Sequence, residues 1–170
     1  MVNAETVSIV FAGLSIGLAA IYYMLTLRNS QKAQQFQLET RQAQMFMQLF
    51  QQDLVERGPH GLMDLLEWEY ENADDFDVKY GKDTNPEAHK SWEFWQNFME
   101  GQGVLVREGY VSIRLIALFS SGGVKNLWRK FQPLIYEERE RHNWPRWGIE
   151  FEYLYDTLMG YAEKHPELQI

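Results

Sequence analysis

Residues 6–27 read TVSIVFAGLSIGLAAIYYMLTL, and this stretch decides the architecture of the chain. It contains no charged residue, and as an α-helix it is about 33 Å long, enough to cross a hydrocarbon core of about 30 Å. A core helix of a small soluble domain rarely stays apolar on every side over this length. A cleaved signal peptide needs a basic start and a small-residue cleavage motif, which this segment lacks. The sequence therefore predicts a permanent transmembrane anchor over residues 1–28.

Basic residues follow the apolar stretch, and none precedes it. Arg28, Lys32 and Arg41 come after the stretch, and the positive-inside rule then places the N-terminus outside and the C-terminal part in the cytoplasm. We therefore expect a single-pass protein of the cell membrane, with Arg28 and Lys32 at the inner membrane surface.

Two glycines lie one helical turn apart inside the predicted anchor. Gly13 and Gly17 form a small-xxx-small pair, which lets a second helix backbone approach closely in lipid. Glycine is also common in membrane helices without such a role, so chance occurrence stays an equal alternative. The pair is the candidate site of helix packing within the membrane.

Residues 29–57 contain no Pro and predict a stalk helix that continues from the anchor until Gly58-Pro59 ends it. A heptad seam runs along one face of this helix, formed by Phe36, Thr40, Ala43, Met47, Phe50 and Leu54. The seam is expected to pack on later helices of the same chain. The alternative is a coiled coil with a second copy or a partner, which makes Phe36, Ala43, Met47 and Phe50 candidate interaction residues.

The remaining residues, 58–170, show helical periodicity without convincing strand alternation. The predicted elements are a short helix over 60–70, an acidic loop over 72–84, a helix from Pro86 with Asn85 as its cap, a short helix over 111–119, a turn at 120–123, a helix over 124–141 kinked or broken at Pro133, and a last helix from 143–145. Long heptad faces joined by turns indicate an up-down bundle. The fold class is therefore all-α, with one transmembrane helix continuing into a soluble helical bundle.

Composition and motifs offer little chemistry. The net charge of −8 argues against nucleic-acid binding, and the absence of cysteine excludes thiolate chemistry. His89 and Glu93 are one turn apart, but a di-iron bundle needs Glu-x-x-His pairs, which are missing. The acidic run over residues 64–77 lacks the ligand spacing of a calcium loop. We expect no catalytic, metal or cofactor site, and hence a protein that is not an enzyme.

Residues 125–146 are the most basic stretch and include two candidate surfaces. Lys125, Arg129 and Lys130 would attract anionic headgroups, at up to about 1 kcal/mol each, if their face meets the bilayer; the alternative is a solvated face with local ion pairs. Trp144 and Trp147 flank Pro145-Arg146. They either belong to the core or stay partly exposed and anchor a partner, as tryptophan often does at binding hot spots.

Several local patterns carry a family resemblance. They are the Arg28-Asn29 exit from the span, QAQMF at 42–46, FMEGQGVLV at 98–106, and WRKFQPLI at 128–135 followed by Arg139. Together they resemble the prokaryotic domain of unknown function 4760 family. The resemblance implies an N-terminal anchor and a helical soluble domain, and it supplies no catalytic residues. This chain has Gly-Gln-Gly at 101–103, where the family pattern has a single Gly.

These observations favour a non-enzymatic single-pass membrane protein that acts as an accessory or interaction subunit of a larger membrane complex. Its expected partners are the lipid bilayer and other membrane-protein subunits or a second copy, with no nucleic acid. A homo-oligomeric membrane-anchored scaffold or sensor is the first alternative. A metal-dependent helical-bundle enzyme is the second.

Overall fold

The structure, a computed structural model, describes residues 3–56 and 60–169; the side chains of residues 4–10, 43, 46, 49, 50 and 52–56 lie outside the description. The described residues are all-helical and contain no strand, as the sequence predicts. The chain divides into two units, Met1–Arg41 and Gln42–Ile170.

The described part contains seven α-helices. Their bounds are α1 Ala4–Glu56, α2 Leu62–Glu67, α3 Ala73–Tyr80, α4 Pro86–Arg107, α5 Ile113–Phe119, α6 Ser121–Arg141 and α7 Ile149–Lys164, followed by a 3-10 turn at Pro166–Leu168. The expected helix end at Gly58-Pro59 lies outside the described residues.

The first unit is formed by the N-terminal part of α1. Within α1, the segment Phe11–Gln42 is long and apolar enough to cross a membrane. The side chains of residues 11–40 are all exposed rather than buried in protein. Phe36 on the predicted seam is 70% exposed, and Met47 in the second unit is 49% exposed. Because the side chains of Ala43 and Phe50 are not described, packing of the seam stays a prediction.

The second unit has one hydrophobic core, built mainly from α4, α6 and α7. On α4, Trp92, Trp95 and Met99 are spaced by three and four residues, as on one face of a helix, and all three are buried. The facing residues on α6 and α7 are Phe131, Leu134, Ile135, Phe151, Leu154 and Leu158. Each large apolar side chain buried in this way contributes about 1.5–3 kcal/mol to folding.

An aromatic cluster extends this core toward α2 and α3. The ring of Trp68 stacks on Tyr80 with centroids 4.2 Å apart, and Phe76 packs edge-on against Trp92 at 5.7 Å. The Tyr70 hydroxyl donates a hydrogen bond to the Lys130 carbonyl at 2.6 Å. Burial raises the pKa of Tyr70 above its ordinary value, which keeps this donor protonated.

Helix α3 corrects the predicted acidic loop over 72–84. Asn72 caps the helix by accepting the Asp75 N–H at 2.9 Å, a standard N-cap interaction. Glu137 of α6 accepts the Ala73 N–H at 2.9 Å, so a distant residue satisfies a second free donor. The acidic residues thus form part of a helix held by tertiary contacts.

The boundaries of α6 correct two further expectations. The predicted turn at 120–123 is confined to Ser120, since α6 begins at Ser121 and includes Gly122 and Gly123. The predicted break at Pro133 is also absent, and the helix continues to Arg141. Pro133 lies on the exposed side, where water can hydrogen-bond the carbonyl that proline leaves without a donor.

The last helix begins later than predicted, at Ile149 rather than at 143–145. Asn143 and Gly148 have φ of 48° and 71°, and such left-handed residues interrupt a right-handed helix. Trp147 therefore lies in the connection and not on α7. By contrast, the start of α4 at Pro86 with Asn85 as its cap is confirmed, the Asn85 side chain accepting the Ala88 N–H at 3.2 Å.

Candidate interaction groove

Residues 143–148, which join α6 to α7, form a tight turn that we call the tryptophan corner. Its first bond runs from the Trp144 N–H to the Arg139 carbonyl at 2.9 Å, and a second runs from the Trp147 N–H to the Trp144 carbonyl at 3.1 Å. Gly148 ends the corner with a positive φ that glycine adopts without strain. A Cβ at this position would lie 2.7 Å from Ile135 Cγ2, so space as well as conformation favours glycine.

Arg139 of α6 fixes one side of the tryptophan corner. Its Nε donates to the Trp147 carbonyl at 2.6 Å, and its Nη1 pairs with Glu152 of α7 at 2.8 Å. The side chain is only 15% exposed. A guanidinium group held by a carbonyl and a carboxylate has few alternative positions, so the backbone of the corner is held in place.

Glu100 of α4 holds the first turn of α7, directly after the tryptophan corner. Its Oε2 accepts the N–H groups of Glu150 at 2.7 Å and Phe151 at 3.1 Å, which are free donors in the first turn of α7. A carboxylate here also interacts favourably with the helix dipole. Burial raises the pKa of Glu100 above its ordinary value, while the backbone donors oppose that effect.

Glu150 is neutralised beside Glu100 by a residue of α4. Arg107 Nε lies 2.6 Å from Glu150 Oε2. The Arg107 guanidinium also lies 3.8 Å from the centroid of the Tyr153 ring, at cation–π distance. The charge of Glu150 is therefore already balanced within the protein.

The tryptophan corner and α4 enclose an open groove of about 420 Å³. Its lining includes Trp144, which is 58% exposed, and the half-buried Trp147. Exposed Asn97 and Arg146 also line the groove, together with Gln96 of α4. The groove thus combines aromatic area with amide and guanidinium groups.

Gln96 is a buried polar residue in this groove. It is only 6% exposed. No hydrogen bond to its carboxamide is found in residues 3–56 and 60–169. Buried side-chain amides normally have partners, and this one can both donate and accept. Gln96 therefore presents unused hydrogen-bonding capacity to the groove.

The structure brings together two of the predicted interaction residues, Trp144 and Trp147, at one site. The other candidates lie elsewhere. A Cβ at Gly13 or Gly17 would have no described atom within 4 Å. Arg28 and Lys32 are exposed on α1.

The candidate membrane-surface residues of α6 have neighbours in the bundle. Arg129 Nε lies 3.5 Å from the Tyr155 hydroxyl, and Lys130 Nζ lies 5.8 Å from the centroid of the Tyr70 ring. Lys125 is half-buried. Contact of this face with lipid stays a prediction.

His89 and Glu93 form a single pair, with Nε2 and Oε1 3.4 Å apart. Within the part of the chain that the structure describes, no three His, Asp or Glu side chains converge in a way that could hold a metal ion.

Sequence reasoning missed Gln96 and Glu100. A signal was present for Gln96, because it is four residues after Trp92 and three before Met99, on the buried face of α4. A polar residue on such a face requires an explanation. Glu100 carried no such signal, since its partners in α7 are some fifty residues further along the chain.

Comparison with known proteins supplies the family and little else. Among curated proteins no sequence matches the chain, and no solved structure matches it. The pattern of one family, described as a domain of unknown function (DUF4760), matches residues 7–158. This match covers the long apolar helix, the stalk and most of the bundle, including the tryptophan corner. The chain therefore belongs to the DUF4760 family.

Proposed function

We propose that this chain is a single-pass membrane protein whose helical domain binds another protein through the tryptophan corner, as an accessory or interaction subunit of a membrane complex. The observation that carries the proposal is Trp144, a large aromatic side chain 58% exposed on a turn that Arg139 holds, next to the start of α7 that Glu100 holds. Tryptophan presented rigidly at a surface is typical of binding hot spots, because little conformational entropy is lost on binding.

The first helix supports the membrane part of the proposal. Its apolar segment is long enough to span a bilayer, and none of the described side chains in that segment's apolar window is buried in the protein. Apolar surface of this extent favours lipid over water by several kcal/mol. Arg28 and Lys32 at the end of the segment favour a cytoplasmic bundle.

Site-specific photocrosslinking tests this function. A benzoylphenylalanine residue replaces Trp144 in one variant and Met63 in a control, and native membranes are irradiated. Met63 is suitable because it is 70% exposed on α2 and does not line the groove. We expect a discrete adduct from position 144 and none of that size from position 63. Equal adduct patterns at both positions would contradict the proposal.

A homo-oligomeric scaffold or sensor is a second candidate, favoured by the 49% exposure of Met47 on the predicted seam. The chain has no cysteine, so Met47→Cys introduces a single thiol. Oxidation in membranes yields a disulfide dimer if two α1 helices meet along the seam. A chain that remains monomeric, while Trp144 crosslinks to a different protein, supports the accessory subunit instead.

A further inference from the structure

We propose that the groove beside the tryptophan corner binds an extended, acidic segment of a partner protein. A carboxylate of that segment lies opposite Arg146, its backbone bonds to Gln96, and an adjacent apolar side chain packs on Trp144 and Trp147. This assignment rests on the proposed function and specifies the chemistry of the partner.

The charges of the groove select an acidic occupant. Of the two carboxylates that line it, Glu150 is paired with Arg107 at 2.6 Å. The other, Glu100, accepts two backbone N–H groups of α7. Arg146 is exposed and has no ion pair in the described portion of the chain. Among the described residues of the lining, the Arg146 guanidinium is therefore the charged group without a bonded partner, even though the whole chain carries −8, and a carboxylate complements it.

The carboxamide of Gln96 selects a polypeptide backbone. A peptide unit carries one donor and one acceptor, and the Gln96 side chain offers the matching acceptor and donor. The residue is only 6% exposed, and it lines the groove, so we expect a ligand to reach its amide from the groove. Exposed Asn97 on the next position of α4 offers a second amide.

The shape of the groove favours a peptide over a bilayer. A concave volume of about 420 Å³ holds a few side chains, whereas a flat membrane surface would contact mainly the exposed residues of its lining. An anionic headgroup could pair with Arg146, but it would leave the Gln96 amide without a partner. An extended acidic segment packs on the tryptophans, hydrogen-bonds to the Gln96 amide and pairs with the Arg146 guanidinium at the same time.

The test uses the full chain in nanodiscs of neutral phosphatidylcholine, against a phage-displayed library of random heptapeptides. We expect enriched peptides to contain Asp or Glu next to an apolar residue, and to bind Trp144→Ala poorly. Arg146→Gln should weaken the best peptide by about tenfold, as loss of one charge-assisted contact does. The matched control is Arg114→Gln, since Arg114 is exposed on α5 outside the groove; its affinity should change less than about twofold.

The outcomes separate this inference from the proposed function. If Trp144→Ala abolishes binding but Arg146→Gln does not weaken it, the acidic specificity is wrong and the interaction site stands. If enriched peptides bind both variants as well as the parent, both proposals are wrong. Enrichment of basic or uncharged peptides overturns the inference. Quenching of tryptophan fluorescence by brominated phosphatidylserine also overturns the inference if it disappears in Trp144→Phe, because Trp144 would then face lipid.

Discussion

At the scale of single residues, the Glu100 side chain links α4 to α7 by hydrogen bonds, and its protonation makes stability depend on pH. Its carboxylate replaces the missing partners of two N–H groups in the first turn of α7. Burial raises its pKa, so the folded state binds a proton more readily than the unfolded state does. Stability from this group is fully present below the ordinary carboxyl pKa, and it is lost as pH rises through the folded-state pKa.

The first prediction is that Glu100→Gln removes this pH dependence. Glutamine keeps an acceptor oxygen and stays uncharged at all pH values. Glutamate loses its proton as pH rises and then places a charge in a partly buried position. The unfolding free energy of the parent chain minus that of the variant should fall as pH rises from about 4.5 to about 8. Urea unfolding in nanodiscs at several pH values, monitored by tryptophan fluorescence, measures the difference.

Glu108→Gln is the control for this experiment. Glu108 is exposed just beyond the end of α4, so its replacement should leave the pH dependence nearly unchanged. A parent-minus-variant difference for Glu100→Gln that rises with pH would show that the α7 donors outweigh burial.

Arg141 joins α6 to α3 through ion pairs. Its guanidinium lies 2.6 Å from Asp74, 2.9 Å from Asp77 and 3.0 Å from Glu138. Asp74 and Asp77 are largely exposed, so solvent screens each pair and its contribution is at most about 1 kcal/mol. The network matters mainly because it offsets repulsion among neighbouring acids.

The second prediction concerns Arg141→Gln, which leaves those carboxylates unopposed. We expect the free energy of unfolding to fall by about 1 kcal/mol at low salt. The loss should shrink in about 1 M NaCl, where the Debye length is about 3 Å. Urea unfolding at the two salt concentrations checks this, with Arg114→Gln as the reference. A loss independent of salt would indicate a packing role for the Arg141 stem.

At the scale of elements, α4 and α7 meet through a glycine. A Cβ at Gly103 would overlap the Glu150 carbonyl oxygen, so the two backbones approach more closely than any side chain allows. Gly101, two residues earlier in the same helix, has no described atom within 4 Å of such a Cβ. The Gly-Gln-Gly stretch therefore contains one glycine required by packing and one that is not.

The third prediction compares alanine at these two positions. Gly103→Ala should force the helices apart and cost about 1–3 kcal/mol of stability, as overpacking does. Gly101→Ala should raise stability by up to about 1 kcal/mol, because alanine favours the helix. Thermal unfolding of both variants in nanodiscs gives the comparison. Equal effects of the two substitutions would contradict the close approach.

Elements set by local chemistry were predictable, and elements set by distant contacts were not. The Asn85-Pro86 start of α4 and the buried tryptophans of its apolar face follow from neighbouring residues. Helix α3 depends on Glu137 of α6 for one of its N–H groups, a contact that the local acidic composition does not reveal. In the groove, exposure of Trp144 was one of two alternatives that the sequence left open, whereas Glu100 acts across about fifty residues and was not predicted.

At the scale of the whole molecule, the proposed anchor and its sidedness would decide in which compartment the groove is accessible. The chain has basic residues only after the apolar stretch. Because moving Lys or Arg across the bilayer during insertion is unfavourable, we expect those residues to stay on the cytoplasmic side. The groove would then be accessible to cytoplasmic proteins and to the inner faces of membrane complexes.

The last prediction uses the absence of cysteine to measure this sidedness directly. Asn3→Cys places one thiol before the apolar segment, and Met63→Cys places one on exposed α2 of the bundle. A membrane-impermeant maleimide added to intact cells should label position 3 and leave position 63 unlabelled until the membrane is permeabilised. The parent chain provides the blank, since it has no thiol. Labelling of position 63 alone in intact cells would reverse the orientation, and with it the compartment in which the tryptophan corner finds its partner.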